Sequence, residues 1–356
     1  MPDKFDCDVA VIGAGPAGST FARLAAKKLD IVMIDKSHMA GQRPKPCGGL
    51  LSPDAQRFLA RSGLTLPKEI LVTPQIFAVK TIDLSMSLIR YYQRSYLNMN
   101  RERFDEWLRS LVPKNVRQID ARCKSISRVS GGFKIILRIR EADGCCEKEL
   151  TARYVVGADG ASSIVRRTFF KDVKIRSYTA LQRWFTQDDT QPFYSCVFDK
   201  KTSDCCSWSI SKDEYMIYGG AFEPKNCREH FERQLESAGK HSFVFGKPVY
   251  NEACMVLRPK SASQIVGARK KTPGVMLIGE AGGFISPSSL EGISWAMASA
   301  ECAAHAFDTA KPESAYARAC VKLKAKLVLK MFKSTFMYNP LLRRLVMISG
   351  VQSLKM

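Results

Sequence analysis

Short apolar runs rich in β-branched residues alternate with helix-forming segments at the start of the chain. Residues 9–12 and residues 31–34 are two such runs, each long enough for one buried strand. Residues 19–28, between them, have a helix-forming composition. A strand, a helix and a second strand in this order predict a βαβ unit, and therefore a parallel sheet within an α/β fold.

The same two patterns continue along the rest of the chain. Apolar and alternating runs predict strands at residues 76–84, 91–98, 116–129, 133–139, 147–152, 154–156, 193–198, 207–210, 215–218 and 275–278. Helical patterns predict helices at residues 52–62, 101–111, 228–238 and 292–307. The dipeptide Asp143-Gly144 predicts a tight turn between two of the strands.

These elements suggest two domains and a tail. Because the first and the last buried strands are expected in one sheet, we predict a discontinuous first domain at residues 1–70, 99–176 and 268–310. Residues 71–98 and 177–267 are predicted to form a second domain built on an antiparallel sheet. Residues 311–356 are predicted to be a helical C-terminal segment.

Composition narrows the class of protein. The chain has 356 residues, of which 46% are hydrophobic, which suffices for a sizeable core. No apolar run reaches the length of a membrane-spanning helix, and the polar first eight residues predict no signal peptide. Its twelve cysteines show neither a C-x-x-C pair nor zinc-like spacing with the four histidines. We therefore predict reduced thiols, no metal site and a cytoplasmic location.

The net charge of +21 is the unusual number in the composition. Such a charge permits attraction to nucleic acid, to an anionic membrane or to acidic ligands. No nucleic-acid-binding motif accompanies it, so we predict no nucleic-acid partner and a solvated basic surface for most of the charge.

The C-terminal segment leaves two interpretations open. In a helix over residues 321–338, Lys322, Lys326, Lys330 and Lys333 fall in one sector and apolar residues fill most of the remainder. Such a helix can lie on anionic lipid, which would give peripheral contact with the inner face of a membrane. The favoured interpretation is a helix that packs on the domain with its lysines in water.

A G-x-G-x-x-G motif follows the first strand and opens the first helix. Gly13 permits a tight turn, Gly15 permits close approach of a pyrophosphate, and Gly18 lets the helix lie near the strand. With Pro16 and Ala17, these residues would bind phosphates at the helix N-terminus. Asp35 ends the second strand, 22 residues after Gly13, in reach of a ribose hydroxyl, and Lys36 follows it. The alternative is a glycine turn within a core.

Two more glycine-acid motifs follow buried strands, at Gly157-Ala158-Asp159-Gly160 and at Gly279-Glu280-Ala281-Gly282-Gly283 with Gly292-Ile293. Three such motifs in this order resemble the flavoprotein hydroxylase superfamily, which has a glutathione-reductase-like FAD-binding fold. The resemblance implies that the first motif binds the ADP part of FAD, that Asp159 supports the cofactor and that Glu280 binds the ribityl chain. Most members have aspartate where this chain has Glu280. The alternative role for both acids is turn formation.

The loop Pro46-Cys47-Gly48-Gly49 resembles the geranylgeranyl reductase branch of that superfamily. The resemblance implies that Cys47, Gly48 and Gly49 lie near the flavin ring and that the second domain binds substrate. Trp208 matches a tryptophan that lines the substrate cavity in that branch, whereas Cys206 and the Ile210-Ser211 pair depart from its motif. These departures put a prenyl-lipid substrate in doubt.

Segments over almost the whole chain resemble the CbrA family of geranylgeranyl-reductase-like flavoproteins. These segments are residues 45–57, 74–81, 92–105, 151–167, 192–199, 207–215 and 288–297. Arg101 resembles a family arginine near the cofactor diphosphate, and its alternative role is a surface arginine on a first helical turn. Cys47, the catalytic candidate, could equally be a small packed side chain, and Trp208 could be a core residue.

The resemblance implies an FAD-dependent oxidoreductase that passes a hydride from reduced flavin to a small apolar substrate, isoprenoid or lipid-like. No second G-x-G-x-x-G marks a nicotinamide domain, so NAD(P)H and a protein reductant both remain open as electron donors. The alternatives are an FAD-dependent monooxygenase, a flavin halogenase and a membrane-associated flavin-binding protein without turnover. The sequence nominates no proton donor and leaves the oligomeric state open.

Overall fold

Two β-sheets, with helices packed on their faces, carry the site described below. The computed structural model describes residues 5–36, 45–141, 144–188, 190–241 and 243–350. Its strands are β1 (Cys7–Ile12), β2 (Ile31–Asp35), β3 (Leu50–Leu51), β4 (Ile76–Asp83), β5 (Leu88–Asn98), β6 (Arg117–Val129), β7 (Gly132–Glu141), β8 (Gly144–Gly157), β9 (Arg176–Thr186), β10 (Phe193–Phe198), β11 (Ser207–Lys212), β12 (Tyr215–Phe222), β13 (Pro248–Arg258) and β14 (Val275–Leu277).

The α-helices lie between groups of these strands and at the C-terminal end, which gives a mixed α/β fold. They are α1 (Pro16–Ala25), α2 (Pro53–Arg61), α3 (Arg101–Ser110), α4 (Ile164–Phe169), α5 (Cys227–His241), α6 (Ile293–Ala306), α7 (Pro312–Tyr338) and α8 (Pro340–Ile348). None of the helices in the described ranges is long and apolar enough to cross a membrane.

The first sheet has a parallel part with the strand order β6-β2-β1-β8-β14. Its central strands are buried on both faces, which explains their continuous apolar sequence. Val9 and Val11 pack toward α1, α6 and α7, whereas Ala10 and Ile12 pack toward β7 and α4. Alternate side chains of a strand point to opposite faces, so one apolar run supplies both cores.

Strand β8 is longer than the sequence predicts. Its first part pairs with β7 in antiparallel fashion, and its last part pairs in parallel with β1. The prediction of two separate strands, at residues 147–152 and 154–156, is therefore wrong. The chain changes partner without a turn, because the exposed alternating half of the strand runs straight into its buried half. The predicted turn at Asp143-Gly144 lies partly outside the described residues.

The second sheet has eight strands in the order β13-β9-β12-β11-β10-β4-β5-β3. The expectation of a purely antiparallel sheet is wrong at one place, because β10 pairs with β4 in parallel. These two strands come from distant parts of the chain, so no hairpin imposes an antiparallel pairing on them. Strands β9 and β13 were not predicted, because their apolar residues are interrupted by exposed and charged ones.

Helix α5 covers one face of the second sheet, where Phe231 and Leu235 pack on Tyr218 and Phe222. The opposite face holds Trp208, Ile210 and Lys212, which alternate along β11 and so share a side. One face of the second sheet is thus covered by α5, and the other face contacts the loop at residues 45–49.

The C-terminal segment contains two helices, and α7 begins before residue 321, where the predicted amphipathic pattern starts. Helix α7 starts at Pro312, and its buried Tyr316 donates a hydrogen bond of 2.8 Å to the carbonyl oxygen of Leu277 in β14. Helix α8 is anchored by Arg343, whose Nε lies 2.7 Å from Oδ2 of Asp83 in β4. Both side chains are buried, so this ion pair ties the tail to the second sheet.

We predict that Arg343→Leu lowers the free energy of unfolding by about 3–5 kcal/mol, because it leaves the buried Asp83 carboxylate without its cation. Urea denaturation measures the loss. The double variant Arg343→Leu with Asp83→Asn should recover part of the stability, since it removes the uncompensated charge as well. A double variant as unstable as the single one would contradict this account.

Candidate functional site

Three glycine turns meet at one edge of the first sheet. They follow β1, β8 and β14, which are neighbours in the parallel part of the sheet. The amide of Ala158 donates to the carbonyl oxygen of Ile12 at 2.8 Å, and the amide of Ile278 donates to Gly157 at 2.9 Å. The three motifs, far apart in sequence, are therefore in direct contact through the backbone.

Two glycines of the first motif are required by the chain's own packing. A Cβ added at Gly18 would lie 1.8 Å from the carbonyl oxygen of Gly13. Gly13 has φ +107°, and a Cβ there would lie 2.6 Å from the carbonyl oxygen of Ala158. These positions bring α1 close to β1 and bring the first turn close to the second motif.

Gly15 differs from its two neighbours in the motif. No atom of the described residues lies within 4 Å of a Cβ added there, and the backbone angles (φ −71°, ψ −170°) suit any residue. Gly15 is the N-cap of α1, and its first turn, with Pro16 and Ala17, contains neither an acidic residue nor a side-chain cap. The helix end thus presents open space and a positive dipole, which suits an anionic group.

The predicted acid of the second strand contacts this turn. Asp35 Oδ2 accepts a hydrogen bond of 2.6 Å from the amide of Ala14. Asp35 therefore lies beside the glycine turn, as the spacing suggested, and one of its oxygens holds that turn in place. Lys36, the next residue, is exposed.

Asp159 in the second motif has one occupied oxygen and one unoccupied oxygen. Its Oδ2 accepts from the amide of Ile164 at 2.6 Å, which fixes the start of α4. Its Oδ1 is buried and has no hydrogen-bond partner among the described residues. Burial raises the pKa of Asp159, against the opposing effect of hydrogen bonds from Ser163 and Ile164. A buried acceptor without a donor suits a ligand hydroxyl at this point.

Glu280 in the third motif is occupied by partners within the chain. Its Oε2 lies 2.7 Å from Nζ of Lys45, and its Oε1 accepts from the amide of Leu257 at 2.9 Å. Burial lowers the pKa of Lys45, but Glu280 and Cys254 together outweigh burial and keep that pKa above its usual value. A Cβ on Gly160 would lie 3.9 Å from both partners, so this ion pair joins the loop to the second and third motifs.

The other residues of the third motif allow a tight turn, begin α6 and pack in the core. Gly279 has φ +58°, and a Cβ there would lie 3.0 Å from the Cβ of Ala17 on α1. Gly292 is the N-cap of α6, and Ile293 is buried in a core cluster with Met297. In this structure Gly292 and Ile293 therefore begin and pack a helix.

The loop at residues 45–49 lies over the second sheet. A Cβ on Gly48 would approach Ile210 Cδ1 to 2.8 Å, and Cys254 in β13 points its thiol at the carbonyl oxygen of Pro46, 3.8 Å away. Gly49 has φ +62° and accepts a 2.9 Å hydrogen bond from Met99. Its two glycines let this loop approach the sheet closely.

Cys47, at the centre of the loop, is half-buried, and the amide of Gly49 lies 3.4 Å from its Sγ. Arg101 lies beside it and donates from Nε to Asp105 at 2.7 Å. Burial lowers the pKa of Arg101, but Asp105 and Cys47 outweigh burial and raise it above the usual value. Arg101 is thus a fixed cation beside the loop.

Lys212 is a buried cation that sequence reasoning missed. Its Nζ donates to Asn98 Oδ1 at 2.6 Å, to the carbonyl oxygen of Met99 at 2.8 Å and to that of Gly49 at 3.1 Å. Burial lowers the pKa of Lys212 to about 7. The three acceptors oppose that shift, because only the ammonium has a proton for each of them. Lys212 therefore pins the loop to β5 and β11.

Trp208 lies on the same face as Lys212 and is half-buried beneath the loop. Its Nε1 is buried and has no hydrogen-bond partner in the described part of the chain. Gly219 is its partner on β12, and a Cβ there would lie 2.7 Å from this nitrogen. The indole packs against backbone and keeps one donor unused.

An aromatic and polar group continues this face of the sheet. Gln182 is the strand partner of Gly219, and its amide donates to Glu252. Trp184 also donates to Glu252, at 2.8 Å, and stacks on Tyr250 with ring centroids 5.0 Å apart. The face beside the loop thus offers large apolar rings and one half-buried carboxylate.

The structure brings most of the predicted residues together around two centres. The turns at Gly13–Gly18, Asp35, Asp159 and Glu280 form the first, and the loop with Cys47, Arg101 and Trp208 forms the second. Sequence reasoning missed Lys45, Lys212 and Cys254. One signal was available for Lys212, because a period of two puts it on the side of Trp208. The pairing of Lys45 with Glu280 spans 235 residues and left no local signal.

Comparisons with known proteins agree with the resemblance. No family model matches the chain. The chain is 48% identical over 349 residues to "Protein CbrA" of Shigella flexneri, covering 97% of this chain and 93% of that protein. A protein of the same name from Escherichia coli is also 48% identical, with the same coverage.

Solved structures share the fold. A geranylgeranyl bacteriochlorophyll reductase-like protein from Thermoplasma acidophilum superposes with a TM-score of 0.74 at 22% identity, covering 94% of this chain and 88% of that one. PqsL of Pseudomonas aeruginosa, a probable FAD-dependent monooxygenase, has a TM-score of 0.66 at 19% identity, covering 97% and 99% of the two chains.

We predict that Lys212→Met lowers the free energy of unfolding by about 2–3 kcal/mol, because three buried acceptors lose a donor. The variant should also release the loop, so that a maleimide modifies Cys47 faster, as measured by peptide mass spectrometry over time. The exposed Cys145 is the internal reference, and Lys201→Met, at an exposed lysine, is the matched control. An unchanged rate at Cys47 would show that Lys212 does not hold the loop.

Proposed function

The chain belongs to the CbrA family, and from this premise we propose that it is an FAD-dependent oxidoreductase. One observation carries the proposal: the N-terminus of α1 at Gly15 lies on the same sheet edge as Asp159 Oδ1, which has no hydrogen-bond partner among the described residues. A diphosphate and a polyol hydroxyl are the groups that these two features suit. FAD contains both, linked in one molecule.

The residues around that edge would hold the cofactor as follows. The amides of Ala17 and Gly18, in the first turn of α1, would face the diphosphate, and Asp35 would face the ribose of the ADP part. Asp159 Oδ1 would accept a hydrogen bond from a hydroxyl of the polyol chain. Glu280 pairs with Lys45 and accepts a hydrogen bond from Leu257, so it orders the loop. Its carboxylate would lie beside the polyol chain of the cofactor.

Cations compensate the charge of the ligand. Lys45 is the first residue of the loop at residues 45–49, and Arg101 and Lys212 lie beside that loop. The positive charge of Arg101 opposes the raised pKa of Lys45. A dianionic diphosphate gains most from cations that are already fixed, because little side-chain entropy is then lost on binding. Arg101, held by Asp105, meets that condition.

Bound FAD supplies two-electron redox chemistry at its isoalloxazine ring. This chain's own contribution is the surface beside the loop with Cys47, where the face of the second sheet carries Trp208 and the Trp184–Tyr250 stack, and we place the substrate there. Such aromatic surfaces favour an apolar substrate, which we propose to be isoprenoid or lipid-like. Cys47 contacts the reacting groups in this proposal, and Lys212 is a positioning residue that fixes the loop.

We propose reduction of the substrate as the reaction. The Pro-Cys-Gly-Gly loop supports it, as does the similarity to the reductase-like protein of Thermoplasma. A monooxygenase is the second candidate, supported by the similarity to PqsL. NAD(P)H or a protein would donate the electrons.

We predict that Gly15→Ala weakens FAD binding at least about tenfold and leaves the fold intact, because its Cβ enters open space and not protein. Fluorescence titration of the apoprotein with FAD measures affinity, and thermal unfolding without FAD measures stability. Gly239→Ala, in α5, adds a Cβ with ordinary contacts and is the matched control. Equal FAD affinity for Gly15→Ala and wild type would contradict the proposed diphosphate position.

The two reactions differ in their need for oxygen. We predict that the FAD-loaded protein, reduced with dithionite under nitrogen, is reoxidised without oxygen by a lipid extract of the organism that produces it. Visible absorbance follows the reoxidation, and mass spectrometry should find a lipid that has gained two hydrogens. If reoxidation requires air and the product gains one oxygen atom, the protein is a monooxygenase.

A further inference from the structure

The two C-terminal helices carry an unusual exposed surface, which we name the C-terminal ridge. It consists of Leu329, Phe332 and Phe336 on α7 and of Leu341, Leu345 and Ile348 on α8. Each of these six side chains is more than half exposed. Single exposed apolar residues are common on proteins, but three on one face of each of two consecutive helices mark an interaction surface.

The spacing shows that the ridge is one continuous face on each helix. Residues three, four or seven positions apart lie on one side of a helix, and both triplets follow that rule. The opposite side of α7 is buried through Leu323, Leu327 and Ser334. Both helices are therefore already packed, and the ridge is what remains outside after packing.

Firm anchors hold the ridge in this orientation. Tyr338 donates a 2.8 Å hydrogen bond to the carbonyl oxygen of Ser288, and its ring packs edge-on against Phe198. Arg343 pairs with Asp83 on the second sheet. A rotation that buried the ridge would break both contacts. The apolar side chains are thus presented outward by the fold.

Charge identifies the kind of surface that fits the ridge. Residues 314–350 contain eight lysines and arginines and no aspartate or glutamate. Lys322, Lys326 and Lys333 are exposed along one flank of the ridge on α7, and Arg344 is exposed on α8. A second copy of the same surface would repel this one, because like charges would face each other. An anionic surface with an apolar interior suits both features.

We propose that the C-terminal ridge docks the protein on an anionic phospholipid bilayer. The six apolar side chains enter the boundary between headgroups and acyl chains, and the flanking lysines lie at the phosphates. The helices lie along the surface and do not cross it. This inference rests on exposed side chains and charge, independently of the proposed redox reaction.

Flotation of the full-length, FAD-loaded protein with lipid vesicles tests the proposal. We expect binding to vesicles of phosphatidylcholine mixed with phosphatidylglycerol, and at least about tenfold weaker binding to phosphatidylcholine alone. The triple variant Leu329→Gln, Phe332→Ser, Phe336→Ser should lose at least about tenfold in partitioning to the anionic vesicles. Lys322→Gln, Lys326→Gln, Lys333→Gln should lose a similar factor and most of the salt dependence.

The controls change other exposed apolar residues and other exposed lysines elsewhere on the surface. Val129→Ser with Val244→Ser, and Lys200→Gln with Lys201→Gln and Lys225→Gln, should bind vesicles as wild type does. FAD content and melting temperature are measured for every variant, so that loss of docking is distinguished from loss of the cofactor site. Wild type that fails to float with anionic vesicles, or ridge variants that bind equally well, would overturn the proposal. The proposal would also be overturned if the wild type is a dimer that does not bind vesicles and the ridge variant is a monomer.

Discussion

The parallel pairing of β1 with β8, and of β8 with β14, is the interaction on which the candidate site depends. Parallel strands end at the same edge of a sheet, so three glycine turns from distant parts of the chain become neighbours there. Gly13 and Gly18 then allow a helix and a second turn to come within contact of the first. Of the three glycines in this motif, Gly15 is the one whose added Cβ would meet no atom of the described residues, and the candidate site lies at that point.

Fixed cations organise the second half of the site. The loop at residues 45–49 has no regular structure of its own, and it is held by Lys212 beneath it and by the Lys45–Glu280 pair at its start. Buried or half-buried charges are costly unless each is paired, and here each has a named acceptor. The same cations that order the loop also favour an anionic ligand beside it, so local stability and ligand charge are linked.

Helix α7 has two apolar sides, one packed in the protein core and one exposed on the surface. Helix α7 buries Tyr316, Leu323 and Leu327 against the first core, yet it keeps a second apolar face outside. An ordinary surface helix would have polar residues there. The inner side of its last turn contacts Ser288, beside the third glycine motif. The helix that carries part of the proposed membrane contact therefore also contacts the segment that follows the third glycine motif.

The sequence by itself determined the βαβ start, the turns with their acids and the α/β class, because these depend on local periodicity and on glycine spacing. It also showed the CbrA family, through similarity along almost the whole chain. The ranges proposed for the domains and the roles of the site residues stay predictions. Only the tertiary structure decided that β8 changes partner without a turn, that β10 pairs in parallel with β4, and that Lys45 and Lys212 hold the loop. Each of these joins residues distant in the chain, and a contact of that kind leaves no periodic signal in either segment.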